Sequence, residues 1–99
     1  MKQRRVKLGP RAAKDIAQIS MQIEAAAGAL VAEQYVARLR EFLRGFDIAS
    51  ERGHLREDLR PGLRITGFEG RITIAFRVHE NHVEILRCFR GGQNWEEKI

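Results

Sequence analysis

The amino-acid sequence predicts an α+β domain of element order β-α-α-β-β-β, in which an N-terminal helical hairpin packs on an antiparallel sheet. Two patterns predict this class. Residues 71–79 alternate between apolar and polar side chains, which is the period of a half-buried strand. Upstream, residues 11–27 and 32–46 repeat apolar side chains at three- and four-residue spacing, which is the period of an amphipathic helix. A chain of 99 residues suffices for one such domain around one core.

The first predicted element is a short strand within residues 1–9. Val6 and Leu8 are apolar and alternate with basic residues, which indicates a strand with one buried face. Gly9-Pro10 then ends the strand and begins a helix, because proline fits the first helical position, where its missing N–H costs nothing.

A helical hairpin is predicted over residues 10–50. Gly28 lies between the two apolar stripes and suits the position just after a helix C-terminus. Because the second stripe follows almost at once, the two helices are expected to run antiparallel. Packing against the sheet explains both stripes, so neither helix needs a cofactor.

Three strands joined by tight turns are predicted to form a meander over residues 63–90. Glu69-Gly70 and Glu80-Asn81 stand where two-residue turns are expected, since Gly and Asn tolerate positive φ. Residues 47–62 are the least regular stretch, and residues 91–99 are predicted to form a polar tail. The middle strand is predicted to have an apolar face with Ile72, Ile74, Phe76 and Val78 and a polar face with Arg71, Thr73, Ala75 and Arg77.

Charge and cysteine content narrow the possible functions. Lys and Arg number 18 against 13 Asp and Glu, and the resulting net charge of +5 favours an acidic or nucleic-acid partner. Cys88 is the only cysteine, which excludes an internal disulfide or a cysteine zinc cluster and predicts a small apolar side chain within a strand. The sequence has no stretch of membrane-spanning length and no apolar signal-peptide core, so we expect a cytoplasmic protein without a membrane partner.

Signatures of catalysis are mostly missing from the sequence. It contains no phosphate-binding glycine loop, nucleophile elbow or HExxH motif. His79 and His82 have a spacing that permits a metal ion, but without a nearby cysteine we expect solvated histidines and no metal or cofactor. Glu57-Asp58 is an adjacent carboxylate pair, and the flanking arginines favour its ionised form over a general acid. We therefore predict no catalytic residue from these patterns.

Arginines are the residues of the meander that are best suited to binding a partner. The guanidinium binds carboxylate and phosphate groups through paired donors, but it stays protonated and does not easily serve as a general base. Trp95 lies beyond the last strand and is interpreted first as an anchor that folds the tail onto the domain, with a partner contact or base stacking as the alternative. The candidate residues for binding a target or partner are Arg64, Arg71, Arg77, Arg87, Arg90 and Trp95.

Four motifs of the chain resemble, in the same order, those of the RelE/ParE superfamily of bacterial toxins from type II toxin–antitoxin modules. They are LGPRAAKDI at residues 8–16, RPGLRI at 60–65, GRITIAFRV at 70–78 and VEILRCFRG at 83–91. The resemblance covers nearly the whole chain and implies a single toxin domain over residues 1–99.

Within this superfamily, the motifs look closer to the ParE branch than to the RelE branch. RelE-like members cleave messenger RNA on the ribosome, using basic residues of the sheet and usually a tyrosine or histidine near the C-terminus. Here Thr73 stands where that branch tends to carry a strand arginine, and Arg90 replaces the common histidine. The sole tyrosine, Tyr35, belongs to a predicted helix.

The ParE resemblance implies a non-enzymatic toxin that inhibits DNA gyrase by binding and is neutralised by a cognate antitoxin in a hetero-oligomeric complex. Such antitoxins typically combine a ribbon-helix-helix DNA-binding part with a disordered, partly acidic segment, which a cationic toxin attracts. The alternatives are a ribosome-dependent mRNA endoribonuclease and a non-toxic remnant that binds only its antitoxin. In the nuclease, a base would be His79 or His82, and the phosphate contacts would be Arg71, Arg77, Arg87 and Arg90.

Overall fold

The structure, a computed structural model, describes residues 2–91 and 94–99. Two helices pack on one face of a five-stranded sheet. The elements, in chain order, are β1 (Arg5–Leu8), α1 (Pro10–Ala27), α2 (Ala29–Arg44), a 3₁₀ turn (Gly45–Asp47), β2 (His54–Leu55), β3 (Leu63–Phe68), β4 (Ile72–Val78), β5 (His82–Arg90) and a second 3₁₀ turn (Trp95–Glu97). Across the described residues, neither α1 nor α2 has the length and apolar character that crossing a bilayer requires.

The strand order in the sheet is β1-β5-β4-β3-β2. This arrangement confirms the predicted α+β class with its helical hairpin, although the sheet is mixed, because β1 lies parallel to β5. Sequence patterns do not reveal this pairing, since the two strands are separated by the rest of the domain and no turn joins them. β2 adds a strand in the stretch predicted to be irregular, where His54 pairs with Ile65 and Leu55 with Arg64. Two residues are too few to produce an alternation.

The ends of the helices and the first hairpin turn follow local chemistry. α1 begins at Pro10 and ends just before Gly28, as predicted. The turn between β3 and β4 has positive φ at Glu69 and Gly70, 52° and 67°, which is the conformation that such a tight turn requires. The turn between β4 and β5 differs from the prediction, since it forms without positive φ at Asn81.

The main core lies between the helices and the face of the sheet that they cover, which we call the inner face. Side chains alternate along a strand, and Ile72, Ile74 and Phe76 of β4 are buried on this face as predicted. Phe46, in the 3₁₀ turn after α2, packs edge-on against Phe76 with 4.9 Å between ring centroids. The helices contribute Ala12, Ile16, Ile19, Ile23, Ala32, Tyr35, Leu39 and Leu43.

A second apolar cluster lies on the opposite face of the sheet, which we call the outer face. Its buried members are Leu63, Ala75 and Phe89. The prediction that this face of β4 is polar is therefore wrong at Ala75, which is fully buried. A β-bulge supports the cluster, because the register of β4 and β5 shifts by one residue at this point and leaves Leu86 free to pack with it.

The C-terminal segment, residues 94–99, covers this outer cluster. Trp95 and Ile99 pack against it, which confirms the interpretation of Trp95 as an anchor. The prediction of a polar tail is wrong in this respect, since an apolar side chain at each end of the segment lies on the sheet. Gly92, predicted together with Gly91 to release the last strand, lies outside the described residues.

Candidate partner-binding surfaces

The outer face of the sheet divides into a covered half and an open half. The C-terminal segment covers the apolar half around Ala75 and Phe89. The open half lies toward the β4–β5 turn, and register places Lys7 beside Glu84 and Glu84 beside Arg77 on this face. We call the open half the basic patch, and define it as Arg5, Lys7, Arg77, His79, His82 and Glu84.

Arg77 stands at the border between the two halves. On the outer face it lies between Leu63 of β3 and Glu84 of β5. Its Nε is buried and has no hydrogen-bond partner within the part of the chain that the structure describes. A cavity of about 400 Å³ adjoins it, lined by Pro61, Gly62, Arg77, Val78 and His79.

The two histidines of the basic patch stack on each other. The ring centroids of His79 and His82 are 4.4 Å apart, and His79 Nε2 lies 3.1 Å from a carboxylate oxygen of Glu84. Partial burial, followed by the neighbouring His79, lowers the pKa of His82. Among residues 2–91 and 94–99, no group of three or more metal-binding side chains is arranged to hold an ion.

Arg87, a predicted partner contact, is occupied within the domain. Its Nε donates to Oδ2 of Asp15 at 2.7 Å and its Nη2 donates to Oδ1 at 3.1 Å, which gives a two-pronged ion pair. The hydrogen bond to Asp15 raises the pKa of Arg87. The guanidinium also lies over the ring of Phe89, 4.6 Å from its centroid. This arginine therefore fastens α1 to β5.

Arg90 lies at the opposite end of β5 from the histidines. Its Nη1 donates to Oε1 of Gln22 on α1 at 3.3 Å. A polar cleft of about 230 Å³ opens here between α1 and β5. Its lining residues are Asp15, Gln18, Ile19, Gln22, Arg87, Cys88, Arg90 and Lys98.

Arg64 and Arg71 are not on the outer face of the central strand. Arg64 pairs with Phe76 and so projects on the inner face, where its Nη1 donates to the carbonyl of Arg52 at 3.1 Å. Arg71 lies in the turn before β4, although the alternation pattern placed it in the strand beside Arg77. The predicted cationic face of β4 therefore reduces to Arg77.

Trp95 is held by an aromatic and a cationic neighbour. The Trp95 ring stacks on Phe89 with 6.5 Å between the ring centroids. The guanidinium of Arg56 lies over the Trp95 ring, 5.5 Å from its centroid. Arg56 also pairs with Asp58 and Glu96, and the hydrogen bond to Asp58, followed by that to Glu96, raises its pKa. Trp95 and Arg87 thus meet at Phe89, whereas the other predicted residues are dispersed.

Sequence reasoning missed a groove beside β1. The cavity in this groove measures about 140 Å³, and its apolar floor consists of Val6, Leu8, Leu43 and Ile85. On the side of α2 it is lined by the charged side chains of Arg40 and Arg44. A larger cavity of about 600 Å³ continues it along Gln3, Arg4, Arg5, Val6, Arg44, Asp47 and Asn81. The apolar pair Val6 and Leu8 was visible in the sequence, but their exposure at a sheet edge was not.

The backbone of β1 is open on the groove side. The N–H groups of Arg5 and Gly9 donate to β5 and its turn, at 3.2 Å to Asn81 and 2.9 Å to Ile85. Because successive peptide groups of a strand point in opposite directions, those of Val6 and Leu8 point away from β5. This edge is able to pair with an extended segment of another chain.

Comparison with known proteins identifies the class of this fold. A solved structure titled "Chromosomal ParDE TA system from P. aeruginosa" matches with a TM-score of 0.78 and 24% sequence identity, over 90% of this chain and 97% of that chain. At this identity the likeness shows the shared fold. No curated protein sequence matches the chain significantly.

The sequence model of one family matches almost the whole chain. The family is described as "ParE toxin of type II toxin-antitoxin system, parDE", and the match spans residues 6–95. The chain therefore belongs to the ParE toxin family. This assignment confirms the resemblance to the ParE branch, including its toxin–antitoxin context.

Proposed function

We propose that this protein inhibits DNA gyrase by binding to it, in the cytoplasm, and that a cognate antitoxin neutralises it. The match of residues 6–95 to the ParE toxin family carries this proposal. The inhibition is non-catalytic and requires no cofactor. Toxin and antitoxin form a hetero-oligomeric complex, in which the antitoxin combines a ribbon-helix-helix part with a disordered segment.

The placement of the proton-handling residues supports binding over RNA cleavage. His79 and His82 lie at the turn end of the β4–β5 hairpin, and Arg90 lies at the other end, opposite Ile72. His82 and Arg90 stand at the two ends of β5, about 25 Å apart at the rise of a β-strand. Of the phosphate contacts expected for a nuclease, Arg77 lies near the histidines, but Arg90 lies at the far end of the hairpin and Arg87 is paired with Asp15. A general base and its phosphate contacts must meet at one substrate, and this set does not assemble as a whole.

The groove beside β1 supports antitoxin binding. An acidic extended segment pairs with the open edge at Val6 and Leu8, places its apolar side chains on the groove floor, and meets the positive charges of Arg40 and Arg44. The net charge of +5 favours association with such a segment.

Expression from a tightly repressed promoter tests the target. The expected result is gyrase-dependent DNA breakage with intact transcripts, and gyrase supercoiling activity that falls when the purified protein is added. Transcript cleavage without DNA damage would support the endoribonuclease instead. Growth unaffected by a soluble, folded protein would support the non-toxic remnant.

Co-expression with the abutting reading frame tests the antitoxin. The expected result is co-purification of a small ribbon-helix-helix protein and restored growth. In the doubly substituted Arg40→Glu/Arg44→Glu protein, association is expected to slow about tenfold at low salt, because steering by opposite charge acts on the association rate. Arg11→Glu/Lys14→Glu, which changes the net charge by the same amount at the exposed start of α1, is the matched control and is expected to change this rate little.

A further inference from the structure

Burial of Arg77 destabilises the isolated domain, because no hydrogen bond within the described residues compensates for it. Arg77 is partly buried, and its Nε is shielded from water without an acceptor among the residues that the structure describes. A buried donor without a partner lowers the free energy of unfolding, and a charged donor lowers it further. The two nearest strand neighbours do not relieve it, since Leu63 is apolar and Glu84 instead approaches His79 at 3.1 Å.

The surroundings of Arg77 leave its guanidinium open to a ligand. The adjoining cavity of about 400 Å³ has Pro61 and Gly62 on the β3 side and His79 on the turn side. The C-terminal segment does not cover this half of the outer face, because Trp95 and Ile99 pack on the cluster around Ala75. Arg77 lines this cavity, so an oxyanion entering it would meet the guanidinium beside the shielded Nε.

The chemistry of the patch favours a carboxylate over a phosphodiester. Glu84 lies next to Arg77 on the same face, and Glu57 accepts a hydrogen bond from Gly62 N–H at 3.2 Å on the cavity wall. The Glu84 carboxylate beside Arg77 repels a polyanion such as nucleic acid more strongly than a single side-chain carboxylate. Pro61 adds an apolar contact of the kind found in protein interfaces.

We propose that Arg77 binds a carboxylate side chain of the toxin's target protein, which docks on the basic patch. The groove beside β1 suits the antitoxin, so the two partners use different surfaces, which adjoin at Arg5. That the docked protein is gyrase rests on the function proposed above. The carboxylate site itself does not depend on that identity.

Arginine Nε–Hε resonances test the site in the free protein. With ¹⁵N-labelled arginine, and the Arg77 signal assigned by its loss in Arg77→Lys, titration with sodium acetate is expected to give a saturable downfield shift at Arg77. The exposed Arg11 is expected to show no saturable shift. An Arg77 signal that follows Arg11 would overturn the proposal. A larger shift with dimethyl phosphate, which carries the single charge of a phosphodiester, than with acetate would indicate a nucleic-acid ligand and would also overturn it.

Stability of the free protein provides a second test. Arg77→Met removes the unsatisfied donor and keeps the length of the side chain, so its Tm is expected to rise by about 5 °C. Arg64→Met is the matched control, because that arginine donates to the carbonyl of Arg52, and its Tm is expected to fall. A fall in Tm for Arg77→Met would mean that Arg77 is satisfied within the domain and would count against the proposal.

Binding to the two partners separates the site from the proposed function. Arg77→Met is expected to weaken gyrase binding about 30-fold, the usual size for truncating one partner of a buried charge pair, and to leave antitoxin co-purification unchanged. Gyrase binding unchanged within twofold would overturn the proposal. If the unsubstituted protein does not bind gyrase at all, the proposed function fails, and the acetate titration still decides whether Arg77 is a carboxylate site.

Discussion

Asp15 of α1 and Arg87 of β5 form a partly buried ion pair, with Nε 2.7 Å from Oδ2 and side chains 13% and 16% exposed. The same Oδ2 accepts the N–H of Cys88 at 2.9 Å. β1 pairs only with residues 82–85, so Cys88 lies on an edge of β5 that no strand covers. The carboxylate of Asp15 therefore accepts a hydrogen bond from the backbone of β5 at a position where a neighbouring strand would otherwise provide the acceptor.

Substitution of Asp15 tests this edge contact. Asp15→Asn is expected to lower the free energy of unfolding by about 2 kcal/mol, because Arg87 loses the opposite charge while an acceptor for Cys88 N–H remains. Urea denaturation measures the change. Glu41→Gln, which removes an exposed ion pair with Arg44, is the control and is expected to leave the midpoint unchanged. Equal effects of the two substitutions would contradict a special role for Asp15.

Trp95 is expected to contribute to stability through the outer cluster. Trp95→Ala should cost about 2 kcal/mol, less than for a fully buried tryptophan because the ring is only partly buried against Phe89. Trp95→Phe should retain most of the stability. As the chain has one tryptophan, its emission in the native protein reports this contact and should shift to longer wavelength on unfolding. Native emission at the unfolded wavelength would contradict the packing.

Cys88 is expected to make the folded protein less stable as the pH rises above 9. Burial raises the pKa of its thiol from 9.0 to about 12, so above pH 9 the unfolded chain loses this proton before the folded chain does. The stability linked to this group is full below pH 9 and is lost as the pH rises toward 12. The expected loss between pH 9 and pH 10.5 is about 2 kcal/mol.

The Cys88→Ala protein isolates this contribution, because all other groups that titrate above pH 9 remain. Its stability is expected to fall less steeply with pH than that of the unsubstituted protein, in parallel denaturation series. At pH 8 the native thiol should also resist a disulfide reagent that reacts readily with the unfolded chain. Rapid reaction of the native protein would show that the thiol is accessible.

Gly53 is expected to tolerate no side chain. Its φ is +73°, and a Cβ there would lie 2.3 Å from the carbonyl oxygen of Ile65, which belongs to the backbone of β3. Gly53→Ala should therefore cost about 3 kcal/mol. Gly62→Ala is the matched control, with φ +72° and open space around the site, and should cost about 1 kcal/mol. Thermal melts distinguish the two, and similar costs would mean that β3 yields at Ile65.

The predicted binding residues show where sequence reasoning stops. Strand periodicity put Arg77 correctly on the face opposite Phe76, because alternation is a property of the local backbone. It did not reveal that Arg87 is paired with Asp15, since the two residues lie 72 positions apart. The six candidate residues were predicted without a common arrangement, except that Arg71 and Arg77 were expected to share a face, and the structure places the six at several separate sites. Their contact with a target stays a prediction.

The sequence by itself determined the α+β class, the helical hairpin and the inner core, because helix and strand periods, Pro10 and the Glu69-Gly70 turn act over a few residues. Only the tertiary structure decided that β1 lies parallel to β5, that the C-terminal segment covers the outer cluster, and that Arg77 keeps an unsatisfied donor. These features depend on which distant segments meet, and that choice is set by the packing of the whole domain.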